Sequence, residues 1–262
     1  MRVAVAWKEC GDHQIEKQLE GRRARRAYRE IITLADGILS PTSKLPPRPG
    51  QISDEDFRSK GLLLPTPYPL EYCEWDFSVP ESERSGIMIG TREFGAQSRN
   101  HLEAIKRLGR LAKDLEIPRI TVINSEKRSG AQKLQKLSEA YLDGVFQIIE
   151  KPLPYPDYMK LLASHCLVYQ MDHSNVPGQV AGDCMLARIL CVGGNSTLEQ
   201  VAFPDLSDDG SRPEVDIASL LGTLLHDKKT YTSIIEQSQQ IAHEKLSFTA
   251  IARELANWGA LK

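Results

Sequence analysis

CLVYQMDHSNVPGQVAGDCMLARILCVGG, residues Cys166–Gly194, is the stretch on which the fold assignment turns. Cys166–Tyr169 is short and continuously apolar, as expected of a strand buried on both faces. Pro177-Gly178 makes a tight entry into a helix over about Gln179–Ala187, and Ile189–Val192 is the next apolar strand. Strand, turn, helix and strand in this order form the unit of a parallel sheet with a right-handed crossover.

The same unit repeats upstream. Gly86–Gly90 (GIMIG), Arg119–Ile123 (RITVI) and Val145–Ile149 (VFQII) are compact strands. The helices between them are expected over about Ser98–Leu115, Gly130–Leu142 and Tyr155–Ala163. Three further helices follow, over about Asp216–His226, Lys229–Glu244 and Thr249–Trp258. The expected fold is therefore α/β, a Rossmann-like doubly wound parallel sheet, in a domain covering 85–262. Residues 1–84 look different. Arg2–Trp7 alternates like a strand, Gln14–Ala35 reads as one long helix rich in Arg and Glu, and Ile38–Leu39 and Leu62–Leu64 are short apolar runs. Pro41–Ser59, with Pro46, Pro47, Pro49 and Gly50, reads as punctuated loop outside any core. This portion is an incomplete second α/β unit, the remnant or end of another domain and its linker.

Composition narrows the function classes. Lys+Arg 33 against Asp+Glu 35 gives a net charge of −2, and aromatic residues make up 6% without interleaving with basic ones. Neither feature suits a nucleic-acid platform. No apolar run reaches the ~20 residues that span a bilayer. The five cysteines show no CxxC pair and no zinc spacing, so they read as reduced thiols of a cytoplasmic protein with no metal site. Arg22, Arg23, Arg25, Arg26 and Arg29 alternate with Glu16, Glu20 and Glu30. This reads as a solvated face, with peripheral contact to an anionic membrane as the sharper alternative.

Chemistry belongs at the turns that follow the strands. Gly90-Thr91-Arg92-Glu93-Phe94-Gly95 offers backbone approach and the Arg92 charge to a phosphate. The free amides of Gly178, Gln179 and Val180 point at the mouth of the sheet, an anion site by geometry and dipole. Asp172, His173, Ser174 and Asn175 crowd the same loop. Asp183, one turn into the helix, suits the hydroxyls of a ribose diol. The alternative is that Asp172 and Ser174 cap a turn and Asp183 is solvated. Glu150–Tyr155 lies where a nucleobase would lodge, and Gly193-Gly194 permits close backbone approach.

From GIMIGTREF through RITVI, VFQIIEKPLPY and YMKLLASH to the opening stretch, the order of motifs resembles the carboxyl-terminal donor half of retaining GT-B glycosyltransferases of the glycosyltransferase 4-like superfamily. Ala35–Thr42 is similar to the segment near the end of that family's amino-terminal domain, and Thr66-Pro67-Tyr68-Pro69 to its linker. The resemblance implies transfer of a sugar from a UDP-, GDP- or ADP-sugar to a glycan or lipid-linked acceptor, with no further cofactor. The family's Glu-x7-Glu falls on Asn175 and Asp183. The resemblance thus implies that Asp183 holds the ribose and that Asn175, or Asp172 in its place, meets the donor sugar. Arg92, and after it Arg99, would hold phosphate, with the Gly178–Val180 amides. A full enzyme carries about as much chain again, so a partner subunit supplying the missing domain is one expectation. A non-catalytic nucleotide-sugar-binding or scaffolding relative is the alternative. A dinucleotide-dependent enzyme is disfavoured by the missing Gly-rich fingerprint.

Overall fold

A computed structural model describes residues 3–7, 12–43, 45–90, 97–124, 127–141 and 144–260. Its first part alternates β1 (Ala4–Ala6), α1 (Asp12–Gln18), α2 (Arg22–Leu34), β2 (Gly37–Ser40), α3 (Asp54–Lys60) and β3 (Gly61–Leu63). The three strands form a parallel sheet in the order β1-β2-β3. Two expectations are corrected here. The single long helix is two, interrupted around Gly21, the N-cap of α2. The Pro-rich stretch contains α3, whose start is capped by the Ser53 hydroxyl accepting from the Asp56 amide at 3.1 Å. Ile52 and Phe57 from this stretch are buried with Ile32 and Ile38 in a small core of their own. The prolines there shape the approach to a helix, as Pro does at first turns and turn entries.

The larger part runs β4 (Ile87–Ile89), α4 (His101–Leu111), β5 (Ile120–Ile123), α5 (Lys127–Tyr141), β6 (Phe146–Ile149) and α6 (Tyr155–Ala163). It continues with β7 (Leu167–Tyr169), α7 (Gln179–Ala187), β8 (Leu190–Val192), α8 (Thr197–Ala202), α9 (Glu214–His226), α10 (Lys228–Leu246) and α11 (Phe248–Ala260). Its five strands are parallel in the order β6-β5-β4-β7-β8. Every residue of β4, β7 and β8 is buried, because helices cover both faces. This is the expected doubly wound sheet.

The chain between the two sheets is anchored rather than loose. Tyr68 donates its amide to the Leu246 carbonyl at 2.8 Å, and its hydroxyl donates to the Gln179 carbonyl at 3.0 Å. Glu71 accepts from the Phe248 and Thr249 amides at 3.4 and 2.9 Å, which satisfies free donors at the start of α11. Further along α11, the Trp258 ring reaches the smaller sheet, where a Cβ on Gly37 would lie 2.0 Å from it. No helix among the described residues is long and apolar enough to cross a membrane.

Tyr68 also packs against α7 at Gly182, where an added Cβ would come within 1.8 Å of the phenol ring. Gly182→Ala is therefore expected to cost about 1–3 kcal/mol in urea unfolding, through overpacking. In a Tyr68→Ala background the same substitution should cost little, the non-additivity expected of two groups that compete for one space.

Candidate functional site

Strand order reverses at β4, with β5 and β6 on one side and β7 and β8 on the other. Connections leaving β4 and β7 therefore diverge and open a crevice beyond their carboxyl ends. The loop after β7 is fastened to both of its neighbours. Towards β4, the Arg99 guanidinium pairs with Asp172 Oδ2, the His173 amide donates to the Ser98 carbonyl at 2.8 Å, and Asn100 Nδ2 donates to the Met171 carbonyl at 3.1 Å. Towards β8, the Asn195 amide donates to the Asp172 carbonyl at 3.0 Å. The Thr197 and Leu198 amides donate to the Val176 and Pro177 carbonyls at 3.1 Å. Asp172 Oδ1 accepts from the Ser174 amide at 2.8 Å and from its hydroxyl. Both oxygens of this buried carboxylate are thus engaged.

Asn175 is equally committed. Its backbone is left-handed at φ 51°, and its amide donates to Asn195 Oδ1 at 3.0 Å. Its Oδ1 accepts from Asn195 Nδ2 at 3.3 Å, and its Nδ2 donates to the His173 carbonyl at 3.4 Å. The two residues singled out for contact with a donor sugar therefore hold the loop in shape. Arg99 is a clasp on Asp172. His173 is exposed, with Nδ1 2.9 Å from Asn100 Nδ2. Arg92 lies outside the described residues.

Gly178 is the N-cap of α7 and has φ +102°. A side chain there would be strained, and its Cβ would lie 2.0 Å from Ser196 Oγ. Packing against Ser196 thus requires glycine independently of any ligand. Gly178 provides no side-chain cap, and among the described residues none is seen for α7, so the first-turn amides, from Gln179 and Val180, retain the anion-binding geometry of a helix start. Its neighbour α8 is the contrast, with a complete Ser196–Glu199 capping box.

Beside that helix start is a cavity of about 520 Å³ whose walls include Gln179, Asp183, Tyr155, Tyr68 and Trp75. Gln179, Asp183 and Leu186 face it together because residues at i, i+4 and i+7 share one helical face. Tyr155, the first residue of α6, donates its hydroxyl to Asp183 Oδ1 at 2.9 Å. Burial and then the nearby Asp183 charge push the Tyr68, Tyr155 and Tyr158 hydroxyls well above their ordinary range. They remain neutral donors around the carboxylate. Tyr155, the last residue of the expected nucleobase segment, and Asp183, the expected ribose carboxylate, thus line one cavity. Another part of its lining went unrecognised in the sequence: Tyr72 and Trp75 sit in a segment whose prolines mask its aromatics.

Glu199 was also missed, although Gly193-Gly194 pointed to its turn. It is buried; one oxygen accepts from the Ser196 amide at 2.7 Å and the other from Gln170 Nε2. An added Cβ on Gly194 would meet its carboxylate at 2.4 Å. Burial raises its pKa to about 8, against the lowering effect of the Ser196 hydrogen bonds.

No family model matches the chain, and no curated protein matches it by sequence. Solved structures do match in shape. S. aureus TarM, crystallised with Fondaparinux, alpha-GlcNAc-glycerol and UDP, superposes at TM-score 0.66 and 10% identity over 98% of this chain and 50% of its own. A UDP-forming alpha,alpha-trehalose-phosphate synthase from Burkholderia xenovorans gives 0.68 at 10% identity, over 98% of this chain and 68% of that one. WaaG, a glycosyltransferase involved in lipopolysaccharide biosynthesis, gives 0.65 at 12% identity over 99% and 74%. The fold is that of GT-B glycosyltransferases. The chain spans half the length of TarM and about two thirds to three quarters of the other two.

Glu199 makes the turn's stability pH-dependent. Its folded pKa of about 8 exceeds the ordinary 4.5, so between these values the folded state holds a proton that the unfolded chain has lost. Its contribution is present at low pH and is lost as pH rises towards 8. Denaturant unfolding at stepped pH should show this decline, and Glu199→Gln should flatten it.

Proposed function

We propose that this chain binds a nucleotide-sugar and serves transfer of its sugar to a glycan or lipid-linked acceptor. The observation that carries this reading is the cavity running from the uncapped start of α7 past Asp183 to an aromatic wall. Its volume is within the ~300–1,000 Å³ range of small-molecule sites. The Gly178–Val180 amides receive the diphosphate and stabilise it as it departs. Asp183 accepts ribose hydroxyls alongside the tyrosine hydroxyls that already bond it. Arg92 supplies phosphate charge from the connection after β4. Asp172 and Asn175 act as positioning residues for the loop beneath the donor sugar. UDP in the TarM crystals and UDP-forming chemistry in the synthase's name support a nucleoside diphosphate as the ligand class. A partner subunit or further chain that supplies an acceptor wall is part of this proposal, and the match covering 50% of TarM is what suggests it. Cytoplasmic placement at an anionic membrane face fits the exposed arginines of α2, Arg22, Arg23, Arg25, Arg26 and Arg29.

A second reading, binding without turnover, is favoured by one specific observation. The side chains of Asp172 and Asn175 are engaged by Ser174 and His173 of the loop and by Arg99 and Asn195 of its neighbours. Transfer of labelled sugar by the purified chain would exclude it.

Isothermal titration with UDP-, GDP- and ADP-sugars tests the donor reading. One of them should bind, and Asp183→Asn should weaken it by about tenfold, the loss expected of a charge-assisted hydrogen bond. Absence of binding by all three at millimolar concentration would overturn the reading.

A further inference from the structure

We infer that Trp75 is the stacking surface for the nucleobase, which sets the direction in which a nucleotide lies in the cavity. This rests on the donor reading above and adds to it a binding residue in the segment joining the two sheets. Trp75 is 38% exposed and lines the cavity, so part of its indole is open to a ligand there. Its described ring neighbours do not cover it face to face. Phe77 meets it edge-on, with centroids 6.3 Å apart and planes at 79°, and Tyr155 is tilted by 51° at 6.2 Å. A flat ligand ring is the group that such a surface accommodates.

Charge gives the direction. Asp183 and Glu74 both line the cavity and repel phosphates from its aromatic end. Gln179 lines it too and is the first residue of α7, whose uncapped amides attract them. A nucleoside diphosphate therefore lies with its phosphates at α7, its ribose at Asp183 and its base on Trp75. The segment that carries Trp75 has the fixed position such a role requires. The Trp75 amide donates to the Tyr72 carbonyl at 3.0 Å and the Phe77 amide to the Leu186 carbonyl at 2.9 Å. Stacking on an indole face discriminates weakly between bases, so UDP, GDP and ADP all gain from it.

The test compares each of these nucleotides with ribose 5-phosphate, which lacks a base, by titration calorimetry. Tryptophan fluorescence is followed alongside. Wild type should bind a nucleoside diphosphate at least tenfold more tightly than ribose 5-phosphate, with quenching of the indole signal. Trp75→Ala should abolish most of that advantage and the quenching while leaving ribose 5-phosphate unchanged. Trp75→Phe, which keeps a ring and the fold, should retain most of the advantage. If Trp75→Ala, shown folded by circular dichroism, keeps the full preference for the base, the inference is overturned and the donor reading stands. If wild type binds neither nucleotide nor ribose 5-phosphate, the donor reading falls and the inference with it.

Discussion

The geometry of the crevice depends on one carboxylate. Asp172 takes Arg99 from the connection after β4 on one oxygen and Ser174 from its own loop on the other, while its carbonyl receives the Asn195 amide from the turn after β8. Three segments from three strands are thereby set in register at the point where the sheet order reverses. A buried pair of this kind contributes little net stability over an apolar replacement, because desolvation offsets the attraction. Removing one partner is a different matter and costs about 3–5 kcal/mol, since the other charge is left buried and unpaired. The pair is therefore best understood as fixing the position of the loop. The left-handed Asn175 and the Gly178 cap that follow it inherit their places from that position.

Helix α7 is the second element on which several features converge. Its cavity face presents Gln179, Asp183 and Leu186, and Gly182 beside them admits Tyr68 from the connecting segment. Tyr68 is tied through its amide to the end of α10, and Glu71 caps α11. The aromatic wall is consequently held by the carboxyl-terminal helices, far along the chain from the loop it faces. Phe248, the first residue of α11, lines the cavity directly.

The larger sheet was legible because its strands are short, apolar on both faces and regularly spaced, and each is followed by a helix of ordinary length. Asp183 and Gly178 could be placed on the helix after β7 because they follow such a strand at the expected distance. What escaped had a physical reason in each case. The helix Asp54–Lys60 follows a proline cluster that reads as loop, although Ser53 and the acidic first turn were a cap signal in plain view. Glu199 carries no mark in a linear reading, because its burial depends on Gln170, which lies 29 residues away in sequence. Trp75 and Tyr155 meet only after the chain between the sheets has folded back across α7. Asp172 and Asn175 were identifiable as polar loop residues, but their hydrogen-bond partners, Arg99 and Asn195, lie on other connections.

Magnitudes indicate which part of the cavity sets affinity for a nucleoside diphosphate. With Arg99 neutralised by Asp172, the helix start acts on the phosphates through its amides and dipole, worth about 0.3–2 kcal/mol. A hydroxyl bonded to the Asp183 carboxylate adds about 1.5–3 kcal/mol, less whatever the Tyr155 bond loses in making way. A base on an aromatic face adds about 1–3 kcal/mol. Together these favour binding by roughly 3–8 kcal/mol, the range of dissociation constants from weaker than millimolar to about micromolar. The phosphate end is the smallest of the three contributions unless a further cation joins it, and Arg92 is the residue placed by sequence to do so. On the proposed reading the nucleoside end therefore contributes most to recognition. On the proposed reading, nucleotide binding does not call on the loop acids that are committed to structure, so donor binding and sugar transfer are separable there.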